Sequence, residues 1–280
     1  MAKNEVATIE ENANALATEA DLAIFGDYAG ADFEDTNASD FVIPRITLLG
    51  DLSPQIKKSN AAKYIEGAEV GDIIDAGLNV KLKSGFAGER LHLLPVRRIK
   101  EVIEWKPRTA GGGIVSRTVL TGGLTIEKIA KEKNAKQNEK FEWKLDNGNE
   151  LIETWQLYCI DIEREMPVFV PFKKSNIKMV KPWFTQRANA KFPDGRRDAN
   201  GRPARLPLFF RTIHLGSFLD SGNGNEWSNY DIKEGEVVTT LPNGHDLAQT
   251  AKDLIEILSA GAFKTEMEGE LDNDGEDIPF

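Results

Sequence analysis

A single cysteine, Cys159, stands in a chain of 280 residues. That excludes an internal disulfide framework and any cysteine-based zinc site, and it fits a reducing compartment such as the cytoplasm. No apolar run approaches the roughly 20 residues that would span a bilayer, so no membrane partner is expected. The start, "MAKNEVATIEENANALATEADLAIF", lacks the apolar core that follows the positive end of a secretory signal. Nucleotide-cradling loops are also missing: there is no G-x-x-x-x-G-K-[ST] and no strand-linked G-x-G-x-x-G. Neither H-E-x-x-H nor G-x-S-x-G occurs. Histidine is scarce. His92, His214 and His245 lie far apart and read as strand or cap residues. The acid pairs Asp72/Asp75 and Asp161/Glu163 lack a third acid or a histidine at suggestive spacing, and read as solvated strand or turn faces. No catalytic residue, cofactor or metal is expected, and the chain reads as a non-enzyme.

What is present is charge, unevenly placed. The formal net charge is −10. Residues 1–40 carry ten acids and one base, and residues 264–280 carry seven acids and one base. Those two ends account for −9 and −6, which leaves +5 for residues 41–263. Acidic termini aid solubility, or they compete with a polyanion for the basic body.

With 40% apolar residues, 14 Phe and 5 Trp, the chain can bury a real core. Turn formers and acids make "GDYAGADFEDTNASD" a linker, and the body starts near "FVIPRITLLG", a strand-like run. "DIIDAGLNVKL", "ERLHLLPVRRIKEVIEW" and "MPVFVPF" also read as strands, and "FEWKLDNGNELIETWQLYCIDI" as a hairpin turning at "DNGN". Gly111–Gly113 mark a loop, and "TIEKIAKEKNAKQNEK" reads as a short exposed helix or an insertion. "KKSNIKMVKPWFTQRANAKF" has a helical pattern, with Ser175 as N-cap and Pro182 expected to kink or restart it. "HDLAQTAKDLIEILSAG" is an amphipathic helix capped by Asp246, with Leu247, Ala251, Leu254, Ile255 and Leu258 on one face and Gly261 just past its end. The expected fold is β-rich α+β: a small closed or half-closed barrel, OB-fold-like or another β-rich arrangement, with insertions and accessory helices over 41–262, an acidic segment 1–40, and a disordered acidic tail 263–280.

Residues 173–211 hold eleven bases and two acids, a balance of +9. The bases are Lys173, Lys174, Lys178, Lys181, Arg187, Lys191, Arg196, Arg197, Arg202, Arg205 and Arg211, with Trp183, Phe184, Phe192, Phe209 and Phe210 among them. Single-stranded nucleic acid needs this mixture. Cations neutralise phosphates and release counterions, and flat rings stack on splayed bases at roughly 1–3 kcal/mol each. No recognition helix or other groove-entering motif for duplex is apparent. Phe209 and Phe210 sit in an apolar run, so at least one is expected in the core. "VRRIKEVIEWKPR" offers a second patch with Arg97, Arg98, Lys100, Trp105, Lys106 and Arg108, where Trp105 either walls the same groove or caps the core.

The chain closes on "EDIPF" within an acidic stretch. This end resembles the C-terminal tip of bacterial single-stranded DNA-binding proteins, in which acidic residues precede Ile-Pro-Phe. The body stretches "FVIPRITLLGDLSPQIKKSN" and "EWKPRTAGGG" resemble single-stranded DNA-binding proteins encoded by tailed bacteriophages. The resemblance implies that the core coats single-stranded DNA during replication, recombination or repair in the host cytoplasm. It implies that Glu276, Asp277, Ile278, Pro279 and Phe280 dock replication and recombination proteins such as a polymerase, helicase–primase or nuclease. Phe280 would fill an apolar pocket while its carboxylate pairs with a cation. The bacterial tetramer is not implied, because the body is larger and the linker nearly absent; self-association stays open. The alternative is a recombination enzyme, a strand-annealing protein or metal-dependent nuclease, that holds its substrate on the same patch. A phage structural or adaptor protein would leave the free tip unexplained.

Overall fold

A computed structural model describes residues 42–139, 142–222, 224–260 and the two-residue strand at 264–265. The acidic segment 1–40, Gly261 and the tail beyond 265, with its Glu276–Phe280 tip, lie outside the described residues.

Long antiparallel strands form the body. β5 (Leu91–Trp105) and β9 (Glu150–Asp161) pair along most of their length, from Leu93↔Asp161 to Trp105↔Glu150. β10 (Met166–Lys173) lies on the far side of β9. The other edge of β5 is shared: β11 (Arg211–Gly222) pairs with its start at Leu91–Leu93, and β6 (Ile114–Val119) with its end. β12 (Asn225–Val237) completes a hairpin with β11. A strand that serves different neighbours at its two ends must twist between them, and β5 does so at a register shift between Pro95 and Arg97. Pro95 has no N–H to give the ladder, which suits a break there.

A second, three-stranded sheet orders β2 (Ile46–Leu48), β3 (Ile73–Asp75) and β4 (Val80–Lys83). It joins the first through a bridge between Arg45 and Phe169, and Tyr230 Oη donates to Ile46 O at 3.5 Å. The result is a curled antiparallel half-barrel, a β-rich α+β fold. Shorter pieces are β1 (Val42–Ile43), which runs parallel to β13 (Lys264–Thr265), and the β7 (Lys136–Gln137) and β8 (Trp143–Lys144) pair. The "DNGN" turn does connect a hairpin: Lys144 faces Glu150, and Gly148 turns with φ of +87°.

Alternation fixes the two sheet faces. Leu91, Leu93, Leu157, Cys159, Ile213 and Leu215 point to one side, into the main core with Phe172 and Tyr230. α2 (Ser175–Asn189) closes that side with Val180, Trp183 and Phe184. Leu94, Val96 and Ile160 point to the other side, where α3 (Gly244–Ala260) lays Leu247, Ala251 and Leu254, with Ile255 and Leu258 partly buried at its edge. The apolar stripe read along that last helix is therefore its packing face. α1 (Ile126–Glu132) covers a smaller cluster through Ile129 and Ala130. Burial pushes the Cys159 thiol well above its usual pKa, so it packs as an inert apolar group.

Two helix starts differ from expectation. Ser175 is the first residue of α2, not its cap; Lys174 precedes it at φ of +45° with no side-chain capping bond. Pro182 does not end α2, which continues to Asn189. α3 begins at Gly244, with Asp246 inside its first turn. A Cβ on Gly244 would lie 1.9 Å from Val238 O, so glycine lets the helix start against the preceding turn.

Gly85 shows how closely the two sheets are joined. Ser217 Oγ on β11 donates to Gly71 O at 2.6 Å, and a Cβ at Gly85 would fall 2.0 Å from that hydroxyl and 2.1 Å from that carbonyl. Gly85→Ala is expected to cost about 1–3 kcal/mol as overpacking, read as a lower denaturant midpoint at unchanged slope. A loss under about 0.5 kcal/mol, the ordinary surface value, would contradict this reading of the junction.

Candidate nucleic-acid interface

α2 and the segment after it carry most of the +9 stretch. Val180, Trp183, Phe184 and Arg187 face inward, which leaves Lys178 and Lys181 exposed on the outer surface. The segment 190–206 is a narrow two-stranded arm. Phe192 N donates to Ala204 O at 3.2 Å, Ala204 N to Arg196 O at 2.9 Å, and Leu206 N to Ala190 O at 2.9 Å. Lys191, Arg196, Arg197, Arg202 and Arg205 are all exposed along it. Its acids serve the arm itself. Asp194 accepts from the Arg196 backbone and guanidinium, and Asp198 Oδ1 takes the Asn200 and Arg202 amides, both at 2.9 Å. Arg196 also covers the half-buried Phe192 ring at 4.3 Å. Arg197 Nη1 donates to Gly201 O at 2.6 Å.

β5 brings a second group of cations to α2. The Arg98 guanidinium lies 4.7 Å from the Trp155 ring centre and 4.6 Å from that of Phe184. Lys100 Nζ stands 4.3 Å over Trp155. Burial lowers the pKa of both. For Lys100, the charges of Arg98 and Lys181 push the same way, while Glu153 opposes them. Glu153 accepts from Trp155 Nε1 at 2.6 Å, and it faces Arg98 and Lys100 electrostatically. Several like charges are therefore crowded at the seam between α2 and the sheet, a place that gains from an anion.

Not every residue named from the sequence joins this surface. Trp105 is 2% exposed and lies in the core with Ile103 and Tyr158; Lys173 Nζ covers its ring at 4.2 Å. Trp183 and Phe184 are 7% and 5% exposed, and Trp183 Nε1 donates to Glu234 at 2.7 Å. These rings are core residues, not open stacking platforms. Their neighbours in sequence are polar, but on a helix the neighbours that matter are three and four residues away. Arg187 is also inside, donating to Leu208 O at 3.4 Å and Arg211 O at 3.0 Å, with Nε 3.3 Å from Glu234. Arg97 points to the opposite sheet face, where it donates to Ile255 O at 3.3 Å and to Ser259 Oγ on α3. Lys174 pairs with Glu142 at 3.0 Å. Lys106 is exposed beside the glycine loop, and Arg108 begins a short 3-10 turn there. Phe209 packs partly buried against the α3 cluster.

A cavity of about 390 Å³ opens beside the N-terminus of α2, between the 45–55 segment and β12. Buried Gln55 Oε1, Asn176 Oδ1 and Trp227 Nε1 line it without a hydrogen-bond partner. Sequence reasoning missed this cavity and Trp155, because both depend on which strands lie side by side. It also read His92 and His214 as unrelated, yet they stack at 4.5 Å beside Glu236. Their only sequence signal is a shared apolar-His-apolar pattern, Leu91-His92-Leu93 and Ile213-His214-Leu215.

Among the described residues, no helix is long and apolar enough to cross a membrane. Neither the curated proteins nor the solved structures include a significant match to this chain. One family model matches residues 11–264, which is most of the chain and all of the half-barrel, α2 and the arm. The chain belongs to the family described as Pam3 phage gp34-like protein.

Proposed function

We propose that this phage-family chain is a non-enzymatic single-stranded DNA-binding protein that coats the strand without regard to sequence. The observation that carries the reading is the cationic surface formed by Lys178 and Lys181 on α2, the arm cations from Lys191 to Arg205, and Arg98 and Lys100 at the seam. Such a surface follows a phosphate backbone and reads no base edges. Because Trp105, Trp183 and Phe184 are core residues, affinity comes mainly from charge, with stacking left to the Arg196–Phe192 pair and to guanidinium planes. The cavity beside α2 offers polar partners to a base turned out of the strand. In this reading the curled half-barrel is an OB-type scaffold.

The tail reading rests on resemblance and charge. Asp277, Ile278, Pro279 and Phe280 dock replication and recombination proteins, and the acids of 266–280 occupy the cationic surface when DNA is absent. The nuclease alternative gains nothing from the acid pairs. Asp75 and Asp161 are buried and held by Arg164 at 2.6 and 2.8 Å, and only Glu163 of the two pairs is exposed.

The test is fluorescence anisotropy with labelled oligothymidylate and a matched duplex, on the full chain and on a chain ending at residue 265. Single strands should bind more tightly than duplex, and removing the tail should tighten binding further at low salt. Tighter binding to duplex would overturn the reading, and weaker binding without the tail would overturn the competition.

A further inference from the structure

His92 on β5 and His214 on β11 are direct cross-strand partners. Their rings lie 4.5 Å apart and 18° from parallel, so both imidazoles present the same edge to one point. That point is Glu236. Its Oε2 is 3.3 Å from His92 Nε2 and 3.6 Å from His214 Nε2, and the ligand atoms of all three residues lie within 4.8 Å of one another. Glu236 reaches them through a bulge. Ile213 pairs with Glu234 and Arg211 with Val237, so Thr212 alone opposes both Gly235 and Glu236. The extra residue turns Glu236 away from Glu234, which faces Trp183 on α2, and onto the histidine side.

Neighbouring groups hold this arrangement. Thr212 is fully buried; its Oγ1 donates to Glu236 Oε2 at 3.0 Å and accepts from Glu236 N at 2.9 Å. A Cβ on Gly235 would sit 2.2 Å from Thr212 Oγ1 and 3.3 Å from His214 Nε2, so only glycine fits beside these two side chains. His92 Nε2 is buried, with Glu236 Oε2 beside it at 3.3 Å.

We propose that His92, His214 and Glu236 form a binding site for one divalent transition-metal ion of the zinc class. Metal–ligand bonds of about 2.0–2.1 Å in tetrahedral geometry place ligand atoms about 3.3–3.4 Å apart, close to the 3.3 and 3.6 Å between Glu236 and the two histidines, while the imidazole pair would have to draw together. Two imidazoles and one carboxylate suit zinc, cobalt or nickel better than magnesium or calcium, which take oxygen ligands. Glu236 is exposed, so water reaches the fourth position. Thr212 is a positioning residue for the carboxylate. The ion would tie β5, β11 and β12 together. It lies on the sheet face opposite α2, because Leu91, Leu93, Ile213 and Leu215 take the α2 side. The proposal is therefore independent of DNA binding.

The experiment uses the full chain after chelation and dialysis, titrated with Co²⁺ and, separately, with Zn²⁺. One equivalent of Co²⁺ should produce the visible absorption of a four- or five-coordinate ion, and Zn²⁺ should bleach it by displacement. Zn²⁺ should also raise the melting temperature, increasingly with its concentration. His92→Gln, His214→Gln and Glu236→Gln should each weaken metal binding at least about 100-fold, the upper end of what losing an outer-shell partner costs. His245→Gln should leave it unchanged. Glu236 is exposed, so its variant keeps the fold and carries the test where a histidine variant does not fold. A chelated chain that remains folded but gives no cobalt spectrum overturns the proposal. So does a spectrum that persists in Glu236→Gln and in the folded histidine variants.

Discussion

Replacing Lys178, Lys181, Lys191 and Arg202 together by glutamine should weaken single-stranded DNA binding by about 600-fold at 0.1 M salt. The figure follows from counterion release, since each phosphate contact on a single strand contributes about 0.7 to the slope of log K against log salt. At 0.1 M each contact is then worth a factor of about five, and four such factors multiply to about 600. All four side chains are exposed, so the melting temperature should move little. Binding is measured by anisotropy of labelled oligothymidylate and stability by thermal unfolding. Arg187→Gln gives the converse control. Its guanidinium is 6% exposed and satisfies the carbonyls of Leu208 and Arg211, so its loss should appear in stability. Unchanged affinity in the fourfold variant would remove α2 and the arm from the interface.

Replacing Arg164 by leucine should cost about 3–5 kcal/mol, the usual loss when one member of a buried ion cluster is removed. Arg164 Nη1 lies 2.6 Å from Asp75 Oδ2, and its Nε lies 2.8 Å from Asp161 Oδ2; both carboxylates are almost wholly buried. The second oxygen of each is also committed. Asp75 Oδ1 caps Gly77 and Leu78 at 3.1 and 3.2 Å, and Asp161 Oδ1 caps Glu163 and Arg164 at 3.0 and 3.2 Å. The guanidinium thus fastens the β3–β4 turn to the β9–β10 turn. The two carboxylates hold the Arg164 pKa above its ordinary value despite burial. Without it, two carboxylates remain desolvated with no cation between them. Chemical denaturation measures the loss. Arg164→Lys should recover part of it, and a loss below about 1 kcal/mol would mean that water already reaches the pair.

The same cluster shows where sequence reading stops. Asp75 and Asp161 looked like members of separate solvated pairs, because the cation between them is 89 residues from Asp75 in the chain. The His92–His214–Glu236 group was hidden in the same way, and further by a bulge that no alternation pattern announces. Local order was easier to read. The 3.6-residue apolar stripe of α3, the turn at Gly148 and the strand runs of β5 and β10 follow from side-chain periodicity and backbone freedom. Trp183 and Phe184 lie between these cases. Beside Lys181 and Gln186 their setting is polar and allowed stacking on bases, yet Val180, Trp183, Phe184 and Arg187 follow the three- and four-residue spacing of a buried helix face. The +9 charge of 173–211 was plain in the sequence, whereas its division into outward lysines and inward rings required the helix axis.

The most direct measurement is the salt dependence of oligothymidylate binding by the unmodified chain, beside the fourfold glutamine variant. A surface that neutralises at least four phosphates predicts a slope of log K against log salt of about −2.8 or steeper, flattened by about 2.8 in the variant. A slope near zero in the unmodified chain, or equal slopes in the two proteins, would contradict DNA binding through this surface.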